Sequence, residues 1–173
     1  MPQAQAGTIF DSSVLSAFAV VGRLDLLAGR YSGRATWAIE VQVEIVQGLA
    51  TAPALSAVLG AVWLGEPVHS FAVDEIERVR LALGGTSRDR RHSGEAASIV
   101  IAGTTGLAVA VDDRDATLLA RTRGIGTIGT VPILQACVRS GAVTAEAAYR
   151  LIAEMRVQHG RRLPAVTIGD FRQ

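Results

Sequence analysis

Five carboxylates stand out for their placement: Asp11, Glu44, Glu95, Asp113 and Asp115. Asp11 follows the apolar run Thr8, Ile9, Phe10. The run Asp112, Asp113, Arg114, Asp115 follows a second compact apolar run, residues 107–111. Both runs read as buried strands, and an open parallel sheet binds its ligands at the carboxyl ends of its strands. Glu95 opens a predicted helix and Glu44 lies inside another, so four separate segments can deliver acids to one sheet edge. Hard oxygen donors without histidine or cysteine select Mg²⁺ or Mn²⁺ over zinc. Such an ion neutralises charge on a phosphodiester and activates water, so an acid-only site suits phosphodiester hydrolysis.

Each acid also has an ordinary structural reading. Asp11 suits a helix N-cap. Glu95 in a first helical turn suits the macrodipole, and Glu44 suits the solvent side of an amphipathic helix. Glu40, one turn before Glu44, competes with it for the same role. The acidic run is harder to explain structurally, because a cap needs one acid and three repel. At about 4 Å and an effective dielectric near 20, each like-charged pair costs on the order of 4 kcal/mol, which a cation offsets.

The elements that must carry these residues follow from pattern and punctuation. Strands are predicted at 8–10, 35–39, 68–73, 107–111 and 124–130. Helices are predicted at 14–21 (capped by Ser12 and Ser13), 24–31, 40–47 (closed by Gly48), 54–64, 94–102 and 116–121. Asp74 is read as the cap of a helix with apolar positions at 76, 79, 81 and 83. Pro132 is read as the first residue of another, and Thr144 as the cap of a last helix running to about 159. Residues 84–93 form a charged, glycine-rich loop. The tail from 160 is irregular and expected to be partly mobile. Strands alternating with helices argue a single α/β domain with a mainly parallel sheet.

Composition narrows the chemistry. The chain has 173 residues, 49% of them apolar, and a formal net charge of +1. Apolar content of that order builds a core without staples, and no global field draws the protein to nucleic acid. Lysine is absent, so all 17 cationic side chains are arginine. That excludes a P-loop and Schiff-base catalysis. It also counts against receiver-type and haloacid-dehalogenase-type sites, which need a lysine. The lone Cys137 reads as a buried hydrophobe in a reducing cytosol. The opening residues carry no basic region followed by an apolar core, and no apolar run reaches the roughly 20 residues of a membrane span. The three histidines, His69, His92 and His159, form no paired motif, and His92 reads as a solvated loop residue. Ser13 lacks a glycine elbow, against a serine-hydrolase reading.

Four segments, in order, resemble the PIN-domain ribonucleases. Residues 9–15 (Ile-Phe-Asp-Ser-Ser-Val-Leu) resemble the family's opening strand and first acid. Residues 44–48, with Glu44 four before Gly48, resemble its helical glutamate. Residues 94–99 resemble the third acidic position, and 111–116 the closing acidic loop, although Asp112 stands where threonine is frequent. Residues 129–134 and 142–144 are similar to the C-terminal part of VapC-like toxins, so the likeness runs from about Thr8 to Met155. The resemblance implies Asp11, Glu44, Glu95 and Asp113 as catalytic acids, with Asp11, Glu95, Asp113 and Asp115 holding Mg²⁺ or Mn²⁺. It further implies an endoribonuclease serving as the toxin of a toxin–antitoxin pair, a homodimer, and a cognate antitoxin. With near-zero net charge, RNA must meet local arginines: Arg88, Arg90 and Arg91 before Glu95, and Arg114 inside the acidic loop, with Arg161 and Arg162 of the tail as the next candidates, for RNA or for an acidic antitoxin segment. A PIN-like nuclease of RNA processing, a non-catalytic binding module and an unrelated metal-dependent phosphatase remain the other readings.

Overall fold

The computed structural model describes residues 7–157 and 159–172. The opening segment read for a targeting signal, apart from Gly7, and the last residue of the tail lie outside the described residues.

Four short strands form one sheet: β1 (Thr8–Phe10), β2 (Ala35–Trp37), β3 (Ala108–Ala110) and β4 (Thr127–Ile128). Their order is β2-β1-β3-β4 and every pairing is parallel. The chain leaves β1 towards one neighbour, β2, and returns on its other side as β3. The carboxyl ends of β1 and β3 therefore flank the point where strand order reverses, which in open α/β sheets is where a binding crevice opens. The α/β class and the parallel sheet expected from the sequence are both present.

Among the described residues nine α-helices flank the sheet: α1 (Ser12–Val20), α2 (Leu24–Tyr31), α3 (Ile39–Gly48), α4 (Ser56–Leu59), α5 (Val73–Ala82), α6 (Ser93–Thr105), α7 (Arg114–Thr122), α8 (Thr130–Arg139) and α9 (Ala145–Val157). Helix α6 packs on β1 and β3, and both α3 and α5 pack on α6. Residues 96–102 of α6 are all buried, so it reads as an apolar run without a polar stripe. It stops at Gly106, whose φ of 72° is the left-handed conformation that glycine adopts without strain. Phe10 anchors the core in near-perpendicular, edge-to-face pairs with Tyr31 (5.0 Å) and Trp63 (5.8 Å), worth about 0.5–1.5 kcal/mol beyond area burial. No helix among the described residues is long and apolar enough to cross a membrane.

Several elements differ from their sequence expectation. Residues 54–64 form not one buried helix but two 3-10 turns, Pro53–Leu55 and Val62–Leu64, around the single turn α4. Gly60 ends α4, and Val62 is 93% exposed, so the apolar run has no continuous buried face to support a long helix. The strand expected at 68–73 shrinks to one bridge, Val68 to Ala38. Phe71 is 97% exposed, and β-branched and aromatic residues make no strand without a partner. Gly48 is the last residue of α3 rather than its cap. Asp74 sits in the first turn of α5, which Ala72 precedes as N-cap. Pro132 is the third residue of α8, still among the N–H groups that have no intrahelical partner. The tail carries a 3-10 turn, Ile168–Phe171, closed by a reciprocal Thr167–Asp170 capping box, with Leu163 and Phe171 buried.

Candidate metal centre

Asp11 ends β1 and caps α1. Its Oδ2 accepts from the Ser13 N–H (2.9 Å) and the Ser13 hydroxyl (2.5 Å). Its own N–H donates to the Ala110 carbonyl at 2.9 Å, which ties it to the end of β3. The side chain is fully buried, and its Oδ1 has no hydrogen-bond partner. The N-cap is therefore Asp11, not Ser12 or Ser13, and the structural and functional readings of this acid coexist in its two oxygens.

Glu44 reaches the same place from the middle of α3. Its Oε2 accepts from the Ser12 hydroxyl at 2.6 Å, and its Oε1 from the Gly94 N–H at 2.8 Å. The fit around Gly94 is close: a Cβ there would stand 2.6 Å from Oε2. Glu95, next along α6, completes the group. Asp11, Glu44 and Glu95 each offer an oxygen, and these oxygens lie within 4.8 Å of one another.

Burial first, then the charges of Glu95 and Glu44, push the Asp11 carboxyl well above its ordinary value. Burial likewise raises Glu44, with Glu95 adding to it against the hydrogen bond from Ser12. Crowded buried carboxylates of this kind call for a cation. The donor set fits a hard divalent ion: carboxylates alone, from three elements, with one buried oxygen left without a donor.

The other acids are distributed around this group. Asp113 caps α7, its Oδ1 accepting from the Ala116 N–H at 2.8 Å. It lines a cleft of about 260 Å³ together with Ser13, Glu95 and Asp112. Asp112 is tied to the start of α8, where Thr130 donates to it through N–H and hydroxyl, each at 2.7 Å. Burial nonetheless raises its carboxyl. Asp115 is exposed in the first turn of α7. Asp112 and Asp113 thus serve two helix N-termini at once, so one cap is not all that the acidic run provides. Glu40 lies one turn before Glu44, in a neighbouring cleft of about 170 Å³ shared with Glu44 and Arg90, and its Oε2 is buried without a partner.

The expected arginines divide. Arg90 lines the cleft beside Glu44. Arg88 faces a cleft beyond Glu40, Arg91 pairs with Asp89 at 3.1 Å, and Arg114 is exposed at the start of α7. Two further segments reach the site, one carrying His92, expected to be solvated, and one carrying Arg161 and Arg162, the second candidate for the RNA path. His92 adopts a left-handed φ of 64° and places Nδ1 3.6 Å from Glu95 Oε1, rather than standing apart in solvent. Arg161 and Arg162 line the Asp113 side of the same cleft as Glu95. No sequence spacing announces either, because both reach the site on irregular segments.

A family model, DUF3368, described as a PIN domain, matches residues 7–173. A search of curated proteins finds no match. Among solved structures the chain is similar to the crystal structure of PAE2754 from Pyrobaculum aerophilum, with a TM-score of 0.54 and 20% identity, over 80% of this chain and 92% of that one. At that identity the likeness speaks for the fold alone, and the fold agrees with the family match. An acid cluster at the reversal point of a parallel sheet, inside a match spanning residues 7–173, leads to one conclusion: the chain belongs to the PIN-domain family, whose fold is of the nuclease type.

Proposed function

We propose that the protein is an Mg²⁺- or Mn²⁺-dependent endoribonuclease and that it acts as the toxin of a toxin–antitoxin pair. The observation that carries the catalytic part is the set of three carboxylates gathered within 4.8 Å, with Asp11 Oδ1 buried and without a donor. Asp11, Glu44 and Glu95 would hold the ion, and Asp113 across the cleft would complete the acidic site. When bound, a divalent cation supplies neutralisation of phosphodiester charge and a lowered pKa for water.

The chain's own residues do the rest. Ser13 fixes one oxygen of Asp11, while Ser12 and the Gly94 N–H fix both oxygens of Glu44, so the acids are held before substrate arrives. The Asp113 cap holds its carboxylate at the mouth of the cleft. Arg90 on the Glu44 side gives the RNA backbone a cationic contact.

The toxin role, a cognate antitoxin and a homodimer are part of the same proposal, and they rest on the likeness to VapC-like toxins. The test has two arms. RNA should be cleaved with Mg²⁺ or Mn²⁺ and spared with chelator, and induced expression should arrest growth until a neighbouring small reading frame is co-expressed. Cleavage without growth arrest would leave a nuclease of RNA processing; no cleavage with either ion would overturn the enzymatic reading.

A further inference from the structure

The end of α9 is joined to the site by a strap, residues 160–163. Gly160 turns the chain with a left-handed φ of 61°. The Arg161 N–H donates to the Met155 carbonyl at 3.0 Å, and Leu163 is buried at 7% exposure, so the strap is fastened on both sides of its arginine pair. Between these fastenings Arg161 is half-buried and Arg162 exposed.

The strap separates two clefts. One, of about 260 Å³, holds Glu95 and Asp113. The other, of about 520 Å³, has Tyr149 and Arg156 of α9 on its far wall. Both arginines line both clefts. The Arg161 Nε is buried with no hydrogen-bond partner, and the guanidinium makes no ion pair among the described residues. The charge that acts on it, that of Asp112, is on a carboxylate that already accepts two hydrogen bonds from Thr130. A desolvated, unpaired guanidinium is costly unless an anion completes it.

We propose that this strap is the phosphate-gripping side of the substrate path, with Arg161 and Arg162 holding the backbone of a single-stranded RNA between the acids and α9. The inference rests on the nuclease reading above. Guanidinium forks match phosphate oxygens in two-point fashion. A phosphodiester approaching four carboxylates needs cationic partners on the protein side, and the strap supplies two beside Glu95 and Asp113. Along the second cleft Arg156 extends the cationic track, and half-exposed Tyr149 offers a face on which a base can stack.

Binding of a short fluorescein-labelled single-stranded RNA, followed by anisotropy across a salt titration, tests this. The parent is the full chain carrying Asp11→Asn with Mg²⁺ present, so that the RNA survives. Arg161→Gln with Arg162→Gln should weaken binding by about tenfold or more, and lower the slope of log K against log salt by about 1.4, at 0.7 per phosphate released from a single strand. Arg161→Lys alone should keep the slope while weakening binding, and melting temperatures should stay close to the parent's. An unchanged slope and affinity in the double variant, with the wild type still cleaving RNA, would overturn the strap and leave the nuclease standing. The same result would follow if the double variant lost only an acidic protein partner. Strap-dependent RNA binding without metal-dependent cleavage would uphold the strap and sink the nuclease. A parent that binds no RNA, with a wild type that cleaves none, would overturn both.

Discussion

Asp11 divides its carboxylate between two tasks. Oδ2 caps α1 and Oδ1 is left bare in the interior beside two more acids. The consequence for stability has a definite sign. Asp11 and Glu44 ionise in the unfolded chain at their ordinary values, 3.8 and 4.5, and in the folded chain at raised ones. Between those limits the folded state binds more protons. Stability is therefore fullest below the ordinary values and is lost as pH rises through the raised ones. Asp11→Asn removes that loss. In chelator, the variant's melting temperature should exceed the wild type's by a margin that widens from about pH 4 upward. Mg²⁺ should narrow the gap by stabilising only the wild type. A margin independent of pH would contradict the raised carboxyl. Activity in Asp11→Asn should fall by at least about a thousandfold, as for a member of a catalytic unit. Gly94 gives a second test. An alanine Cβ would stand 2.6 Å from Glu44 Oε2, and the flexible end of Glu44 is what yields. Gly94→Ala should weaken Mn²⁺ binding by calorimetry and impair cleavage, with the melting temperature nearly unchanged.

At the scale of elements, two helix N-termini converge on one dipeptide. Asp112 is tied to α8 and Asp113 caps α7. Asp112→Ala strips two partners from Thr130 and should cost about 1–3 kcal/mol in denaturant unfolding. Asp113→Asn should unfold like the wild type, because asparagine caps as well as aspartate, yet it should lose most cleavage. Unchanged cleavage by Asp113→Asn would show that Asp113 serves only α7. The sequence made Asp11, Glu44 and Glu95 legible because each sits at a strand end, or on a helix with a glycine signature nearby. It did not show that Glu44 is held by Gly94, a contact fifty positions apart that depends on how α3 packs on α6. Nor did it show two helices drawing on one acidic run, since that requires knowing that α7 and α8 start side by side. Residues 54–64 and 68–73 misled for a related reason. Their apolar and β-branched residues promise burial, and Val62 and Phe71 find no neighbour to provide it. The contact of His92 with Glu95 lay beyond pattern, because loops carry no periodicity; Arg161 and Arg162 were visible as a basic pair but not as neighbours of Glu95.

Across the whole molecule, a net charge of +1 and 17 arginines without lysine mean that nucleic acid meets local clusters rather than a field. Arg90 stands on the Glu44 side of the acids, and Arg161 and Arg162 on the Asp113 side. Arg88→Ala with Arg91→Ala should therefore alter RNA binding less than Arg90→Ala, in the same salt titration. Equal effects would place the RNA along the outer loop. If the acid cluster hydrolyses RNA with water as nucleophile, the ends of the cut RNA report on it directly. Cleavage by the wild-type protein with Mn²⁺ or Mg²⁺ should leave a 5′-phosphate and a 3′-hydroxyl, and should vanish with chelator. A 2′,3′-cyclic phosphate, or cleavage that persists in chelator, would mean that the 2′-hydroxyl attacks and that the carboxylates are not the reacting centre.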